Sequence, residues 1–206
     1  MRASARTDGP SAPLPPPTSE AYSLGQMESI RELLRPAAQM ADDMQIVGAD
    51  LADPNHAEAV IRMLDHYAQD RMGIGRSLPE DVRKRLVPRL REHPTAFVLL
   101  AFLAKEPVGI AVCFRGFSTF QAQPLVNVHD LCVRREFRGR KIGREILRRV
   151  EERARRMGCG KITLEVRDDN FRALHLYESA GFEGRTSRDG RPRALFLEKD
   201  LRPGRK

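Results

Sequence analysis

The sequence predicts one α/β (α+β) domain behind an N-terminal extension, and three observations carry that reading. Of the 206 residues, 41% are hydrophobic, enough for a core of ordinary size and too apolar for a disordered chain. Strand-like and helix-like segments follow one another in the order β α α β β β α β α β β, with no internal repeat. The longest apolar stretch, Ala96 to Ala104, is nine residues, about half of what a membrane-crossing helix needs. A helical membrane span is thereby excluded.

Residues 1–42 read as a disordered or weakly structured extension: five of the fourteen prolines fall in the first twenty residues, and almost no large apolar side chain does. The folded domain is assigned to residues 43–202. It opens with a short strand, Met44 to Ala49. Asp53-Pro54 offers an N-cap and a proline at the first helical position, and Val60, Ile61, Leu64 and Tyr67 recur at helical spacing to about Asp70. Gly73 and Gly75 break that helix. Ser77-Leu78-Pro79-Glu80 has the spacing of a capping box for a second one, in which Pro88 predicts a kink or an early end. Thr95 to Ala104 and Val108 to Phe117 form a hairpin across Lys105-Glu106-Pro107, and Leu125 to Val133 a further strand, interrupted at His129-Asp130. A helix from Ile142 to Met157 ends at Gly158, a strand covers Lys161 to Val166, and a helix covers Asn170 to Ser179. Phe182 to Thr186 and Arg193 to Leu201 close the domain as a strand pair.

Charge is concentrated rather than spread. The chain carries +8, and the stretch from Arg134 to Arg156 holds eleven basic residues against four acidic ones, a net of +7. Such a cluster fits an anion site, a nucleic-acid patch, or a solvated helix face laced with Glu/Arg pairs. Cys113, Cys132 and Cys159 lie far apart without a CxxC pair, so they build neither a disulfide framework nor a cysteine-rich zinc site. They point to a reducing compartment, the cytoplasm, and no metal is expected.

Strand, basic glycine-containing turn and helix succeed one another at Val126–Val133, Arg138-Gly139-Arg140-Lys141-Ile142-Gly143 and the helix that follows. That order presents free backbone N–H groups and a positive helix end to an anion such as a pyrophosphate. The turn is neither GxxxxGK[ST] nor GxGxxG, which argues against nucleotide hydrolysis and dinucleotide binding. A second constellation runs from Asp168-Asp169-Asn170 through Ala173, Tyr177-Glu178 and Gly181-Phe182. Together with Leu131-Cys132-Val133 and the basic turn, it resembles the GCN5-related N-acetyltransferase (GNAT) superfamily, over roughly Met44 to Leu201.

The resemblance implies a mixed central sheet of about seven strands with a splay at the cofactor site, flanked by about four helices. It implies acetyl-CoA as cofactor and direct transfer of acetyl to an amine, with no covalent enzyme intermediate. On this likeness the backbone of Leu131, Cys132 and Val133 meets the pantetheine arm, and Arg138, Gly139, Arg140, Lys141, Ile142, Gly143 and Arg144 hold the pyrophosphate mainly through N–H groups. Asn170 contacts the cofactor arm, and Tyr177 is the general acid that protonates the departing sulfur. Lys141 departs from the pattern, since the family loop has glycine there, so its backbone angles must suit a side chain. His129 and Asp130 are the candidate base and amine-binding carboxylate, with a hydrogen-bonded polar pair at a strand irregularity as the structural alternative.

A looser likeness to diamine and polyamine acetyltransferases makes a small primary amine the leading acceptor, with Asp65, Asp70, Glu80 and Asp81 as carboxylates for a cation. A protein N-terminus or lysine is the next option. The reading from another class is a basic nucleic-acid-binding or CoA-binding regulatory module, which lacks RNP-like or zinc-finger motifs and has only 6% aromatic residues for stacking. Related folds often join terminal strands across a homodimer, which leaves that assembly open.

Overall fold

A computed structural model describes residues 44–184 and 194–201. The reading of residues 1–42, and the parts of the closing strand pair at 185–193, lie outside these. Seven strands and four helices follow in chain order: β1 (Met44–Gly48), α1 (Pro54–Gln69), α2 (Glu80–Glu92), β2 (Ala96–Leu103), β3 (Glu106–Ser118), β4 (Gln123–Val133), α3 (Ile142–Arg156), β5 (Lys161–Arg167), α4 (Phe171–Ser179), β6 (Glu183–Gly184) and β7 (Ala194–Asp200). They form one mixed sheet in the order β1-β2-β3-β4-β5-β7-β6. Only β4 and β5 run parallel, joined through α3; the remaining pairs are antiparallel.

The two faces of the sheet bury separate clusters, as strand alternation requires. On one face Val98, Leu100, Ile110, Val112 and Cys132 pack against Ala59, Val60, Met63 and Leu64 of α1 and Val87 of α2. On the other, Leu99, Ala101, Ala111, Cys113, Val126, Val128, Ile162 and Leu164 pack against Ile142, Ile146, Leu147, Val150 and Ala154 of α3. The i, i+4, i+5, i+8 spacing of the α3 residues is why this heavily charged helix folds onto a sheet at all. Its close seating is set by Gly109 of β3. A Cβ there would come 2.7 Å from Ile146 Cδ1 and 3.3 Å from Ile142 Cγ2, so a side chain would lift the first turns of α3.

Helix ends match the sequence reading in α1, where the Asp53 carboxylate accepts from the Asn55 N–H at 2.8 Å ahead of Pro54. They depart from it in α2. Ser77 caps nothing: the N-cap is Pro79, without a side-chain hydrogen bond, because the Leu78 N–H donates to Asp65 Oδ1 at 2.7 Å and holds the segment extended until Glu80. Nor does Pro88 end the helix, which continues to Glu92. Pro88 faces solvent, where water can take the carbonyl its missing N–H leaves unpaired. A 3₁₀ turn at Arg135–Phe137, absent from the sequence reading, buries Phe137 beneath the basic loop.

Overpacking beneath α3 is the sharpest test of this seating. Gly109→Val is expected to cost about 2 kcal/mol of stability, read as a lower midpoint of urea unfolding at unchanged slope.

Candidate active site

The site begins with an irregularity in β4. Cys113 of β3 pairs with Val128, and Val112 with Asp130, so His129 is an extra residue in the ladder, a β-bulge. Its effect on alternation is direct. Before the bulge Val126 and Val128 face α3; after it Leu131 and Val133 pack on that side, and Cys132 turns to the α1/α2 face. Asp130 shares the parity of Cys132 and so leaves the α3 core for the α1/α2 face. His129 lies on that face too, its ring edge-on to Phe114 at 5.5 Å, and the His93 ring also meets Phe114 edge-on, at 4.8 Å.

Beyond the bulge β4 also loses its neighbour. Its parallel pairing with β5 covers Leu125–Val128 against Lys161–Leu164 and stops there. This is the splay that the family resemblance implies. On the β3 side the Arg134 N–H donates to Val108 O at 2.9 Å. By antiparallel alternation Cys132 then turns its backbone toward β3, while Leu131 and Val133 turn theirs into the gap. Of the three strand residues expected to meet the pantetheine arm, two thus face the opening and Cys132 does not; its thiol is buried and pushed up to about 11 by loss of solvent.

The basic loop closes one end of the gap. Gly139 and Lys141 both take left-handed backbone angles, φ 81° and 62°, and Lys141 is the residue just before α3. No side chain caps the helix. Its first intrahelical bond is Glu145 N–H to Lys141 O at 3.1 Å, so the amides of Ile142, Gly143 and Arg144 stand ahead of the ladder. Gly143 lets this turn close on α4, since a Cβ there would sit 3.0 Å from Leu176 Cδ2. Arg138 is directed elsewhere: it donates to Val133 O at 2.9 Å and pairs with Asp70 at 2.7 Å, tying the loop to the end of α1. The Met72 N–H, and after it that pair, hold the Asp70 carboxyl below its usual range. Arg134 and Arg140 lie over the Phe137 ring at 5.3 and 5.4 Å.

Most of the charge farther along α3 is matched in place. Arg148 pairs with Glu145 and Glu152, Arg149 with the same two acids, and Arg155 with Glu151 at 2.8 Å; Arg153 stacks on Phe97 at 4.4 Å. These pairs are the solvated helix face among the three readings of the basic stretch. The other carboxylates proposed for a cationic acceptor are also engaged: Asp65 accepts from Leu78 and Gln69, Glu80 pairs with Lys84, and Asp81 with Arg85.

Tyr177 enters from α4, 6% exposed, its ring 5.8 Å from Phe182. Burial raises its pKa above the ordinary tyrosine value, with Tyr67 adding to the shift. Asn170 spends its side-chain oxygen on the Ala173 N–H at 3.3 Å, capping α4. Burial also raises Asp130, opposed by His129. Tyr67 was read from sequence only as part of the apolar stripe of α1. It packs on the α1/α2 face within electrostatic reach of Asp130, Cys132 and Asp70. Tyr67 and Tyr177, one from each layer, lie within electrostatic reach of each other.

A seven-stranded mixed sheet opened beside a bulge, with an uncapped helix end across the gap, defines the acetyl-CoA-dependent acyltransferase class. A model of the acetyltransferase (GNAT) family matches residues 58–182, and the chain belongs to that family. It is an N-acetyltransferase with acetyl-CoA as cosubstrate. The thialysine N-epsilon-acetyltransferase of Caenorhabditis elegans is 28% identical over 139 residues, covering 66% of this chain and 83% of that one. The enzyme of the same name from Bos taurus is 34% identical over 83 residues, 40% of this chain and about half (48%) of its own length. In fold the chain is similar to the PaiA N-acetyltransferase of Thermoplasma acidophilum in complex with coenzyme A, with TM-score 0.57, 16% identity, and coverage of 77% and 99%.

The left-handed Lys141 gives a measurable strain. Lys141→Gly is expected to be more stable than Lys141→Ala by about 1 kcal/mol, the reverse of the order inside a helix, and paired thermal melts of the two variants check it.

Proposed function

We propose that this chain acetylates a small primary amine at the open edge of β4, with Asp130 receiving the amine and Tyr177 supplying the proton to the departing sulfur. The observation that carries the reading is the gap itself: the Leu131 N–H and C=O and the Val133 N–H open onto it, and the uncapped end of α3 stands beside it. The residues present fit acetyl-CoA. Leu131 N–H and C=O and the Val133 N–H can pair with an extended amide arm as a strand would. Gly139, where a Cβ would meet nothing within 4 Å, and the amides of Ile142 to Arg144 suit a pyrophosphate. Arg140, Lys141 and Arg144 add positive charge around them. Arg138 acts from behind, through Val133 and Asp70. Acetyl-CoA supplies the activated acyl group.

An amine arrives as an ammonium and must lose a proton before it can attack. Asp130, half-buried and with a raised pKa, is both a counter-charge for that ammonium and a better base than an exposed carboxylate. Exposed His129, its neighbour on the bulge, passes the proton to solvent. Tyr177 is held neutral by burial, so it keeps a proton to give rather than acting as a base. The names of the two thialysine acetyltransferases support a small amine over a protein substrate. Three buried thiols accord with a cytoplasmic setting.

Two measurements test this. Tyr177→Phe is expected to lower kcat about 100-fold while the KM for acetyl-CoA holds; unchanged turnover removes Tyr177 from the reaction. In a thiol-release assay, thialysine and short diamines are expected to be acetylated faster than peptides with a free N-terminus or lysine, and the opposite order assigns the chain to protein substrates.

A further inference from the structure

Three rings from three elements meet beside the bulge: His93 at the end of α2, Phe114 of β3 and His129 of β4. The His93 and Phe114 ring centroids are 4.8 Å apart and those of Phe114 and His129 5.5 Å, at interplanar angles of 66° and 79°. Neither imidazole therefore lies flat on the phenyl ring. Each ring is held by its backbone. Phe114 pairs with Ala96 on one side and Asn127 on the other, half-buried against the α1/α2 cluster. The His93 N–H donates to Leu90 O at 3.3 Å, its carbonyl accepts from the Ala96 N–H at 3.3 Å, and its Nδ1 accepts from the Thr95 N–H at 3.4 Å. His129 is the bulged residue and immediately precedes Asp130. Both histidines are exposed, so the row leads from the bulge to the surface.

An acceptor with a second positive charge needs something to meet that charge, because a cation drawn out of water without a counterpart is costly. The carboxylates that the sequence singles out for a cation are engaged. Asp65 accepts from Leu78 and Gln69, Asp70 from Met72 and Arg138, Glu80 pairs with Lys84, and Asp81 with Arg85. Glu92, next to His93, pairs with Arg89 at 2.9 Å. What stands beside Asp130 in their place is the row of rings. A phenyl face attracts a cation electrostatically, and more strongly where the site is partly desolvated, as half-buried Phe114 is.

We propose that His93, Phe114 and His129 cradle the far end of the acceptor, with Phe114 as the residue that sets specificity: an amine delivered to Asp130 lays the rest of its chain over the Phe114 ring, which favours a second cationic group there. The cradle rests on the reading of the β4 bulge as the acceptor site and names the substrate class within it, a short unbranched amine whose remote end is also positively charged.

The test compares putrescine with pentylamine, which has the same length and a methyl group in place of the second ammonium. The ratio of kcat/KM for putrescine to that for pentylamine is expected to fall about tenfold in Phe114→Leu, which keeps an apolar side chain and removes the aromatic face, and to hold in Phe114→Tyr, which keeps that face. A ratio that Phe114→Leu leaves unmoved overturns the proposal. So do equal losses in Phe114→Leu and Phe114→Tyr, which mark a packing role. The ring-proton NMR signals of His93 and His129, followed in the coenzyme A complex as putrescine is added, separate the cradle from the site it rests on, and both are expected to shift. If His129 shifts alone, the cradle falls and the acceptor site stands; if neither shifts, the reading of the bulge as the acceptor site falls and the cradle with it.

Discussion

One extra residue in one strand organises this molecule. Without the bulge at His129, strict alternation would carry Asp130 into the α3 core alongside Val126 and Val128, where a carboxylate has no partner. With it, Asp130 leaves the core to join His129 on the α1/α2 face, and two apolar residues, Leu131 and Val133, take over the α3 side. A bulge also adds local twist, and just past it β4 and β5 cease to pair. The exposed edge and the placement of Asp130 both follow from that one irregularity.

The phosphate-side loop shows how few of many charges face a ligand. The eleven basic residues from Arg134 to Arg156 suggest a strongly positive surface, yet Arg148, Arg149 and Arg155 are matched by acids of their own helix. Arg153 lies over an aromatic ring, and Arg138 is a strut between the loop and α1. Such surface pairs contribute little stability individually; their effect is to leave the helix end and its amides as the distinct positive feature. That arrangement weakens the nucleic-acid reading, because a phosphate-tracking surface needs unmatched cations along its length.

Much of this was legible in the sequence, because most elements are specified locally. Asp53-Pro54 marks the start of α1, Gly158 follows the end of α3, and the parity change between Val126/Val128 and Leu131/Val133 was visible as an interruption at His129-Asp130. What failed was local signal overridden by tertiary contact. Ser77 has capping-box spacing, but Asp65, twelve residues upstream, holds the segment extended. Pro88 reads as a helix breaker, but it faces water. For the candidate site, motifs singled out the loop and Tyr177, whereas nothing in the sequence singled out Tyr67. Its helical spacing is that of a core residue, and its coming within electrostatic reach of Asp130 depends on a pairing across more than sixty residues that no local pattern encodes. The engagement of Arg138 with Asp70 escaped for the same reason.

The central claim is that acetyl-CoA lies along the open edge of β4 with its phosphates at the head of α3. Residue-resolved amide hydrogen exchange, with and without coenzyme A, tests it most directly. Leu131 and Val133 face the gap and Cys132 faces β3, so the expected result is new protection at Leu131, Val133 and the amides of Ile142 to Arg144, with Cys132 already slow and unchanged. Protection confined to the arginine-bearing face of α3, or none at Leu131 and Val133, would contradict it.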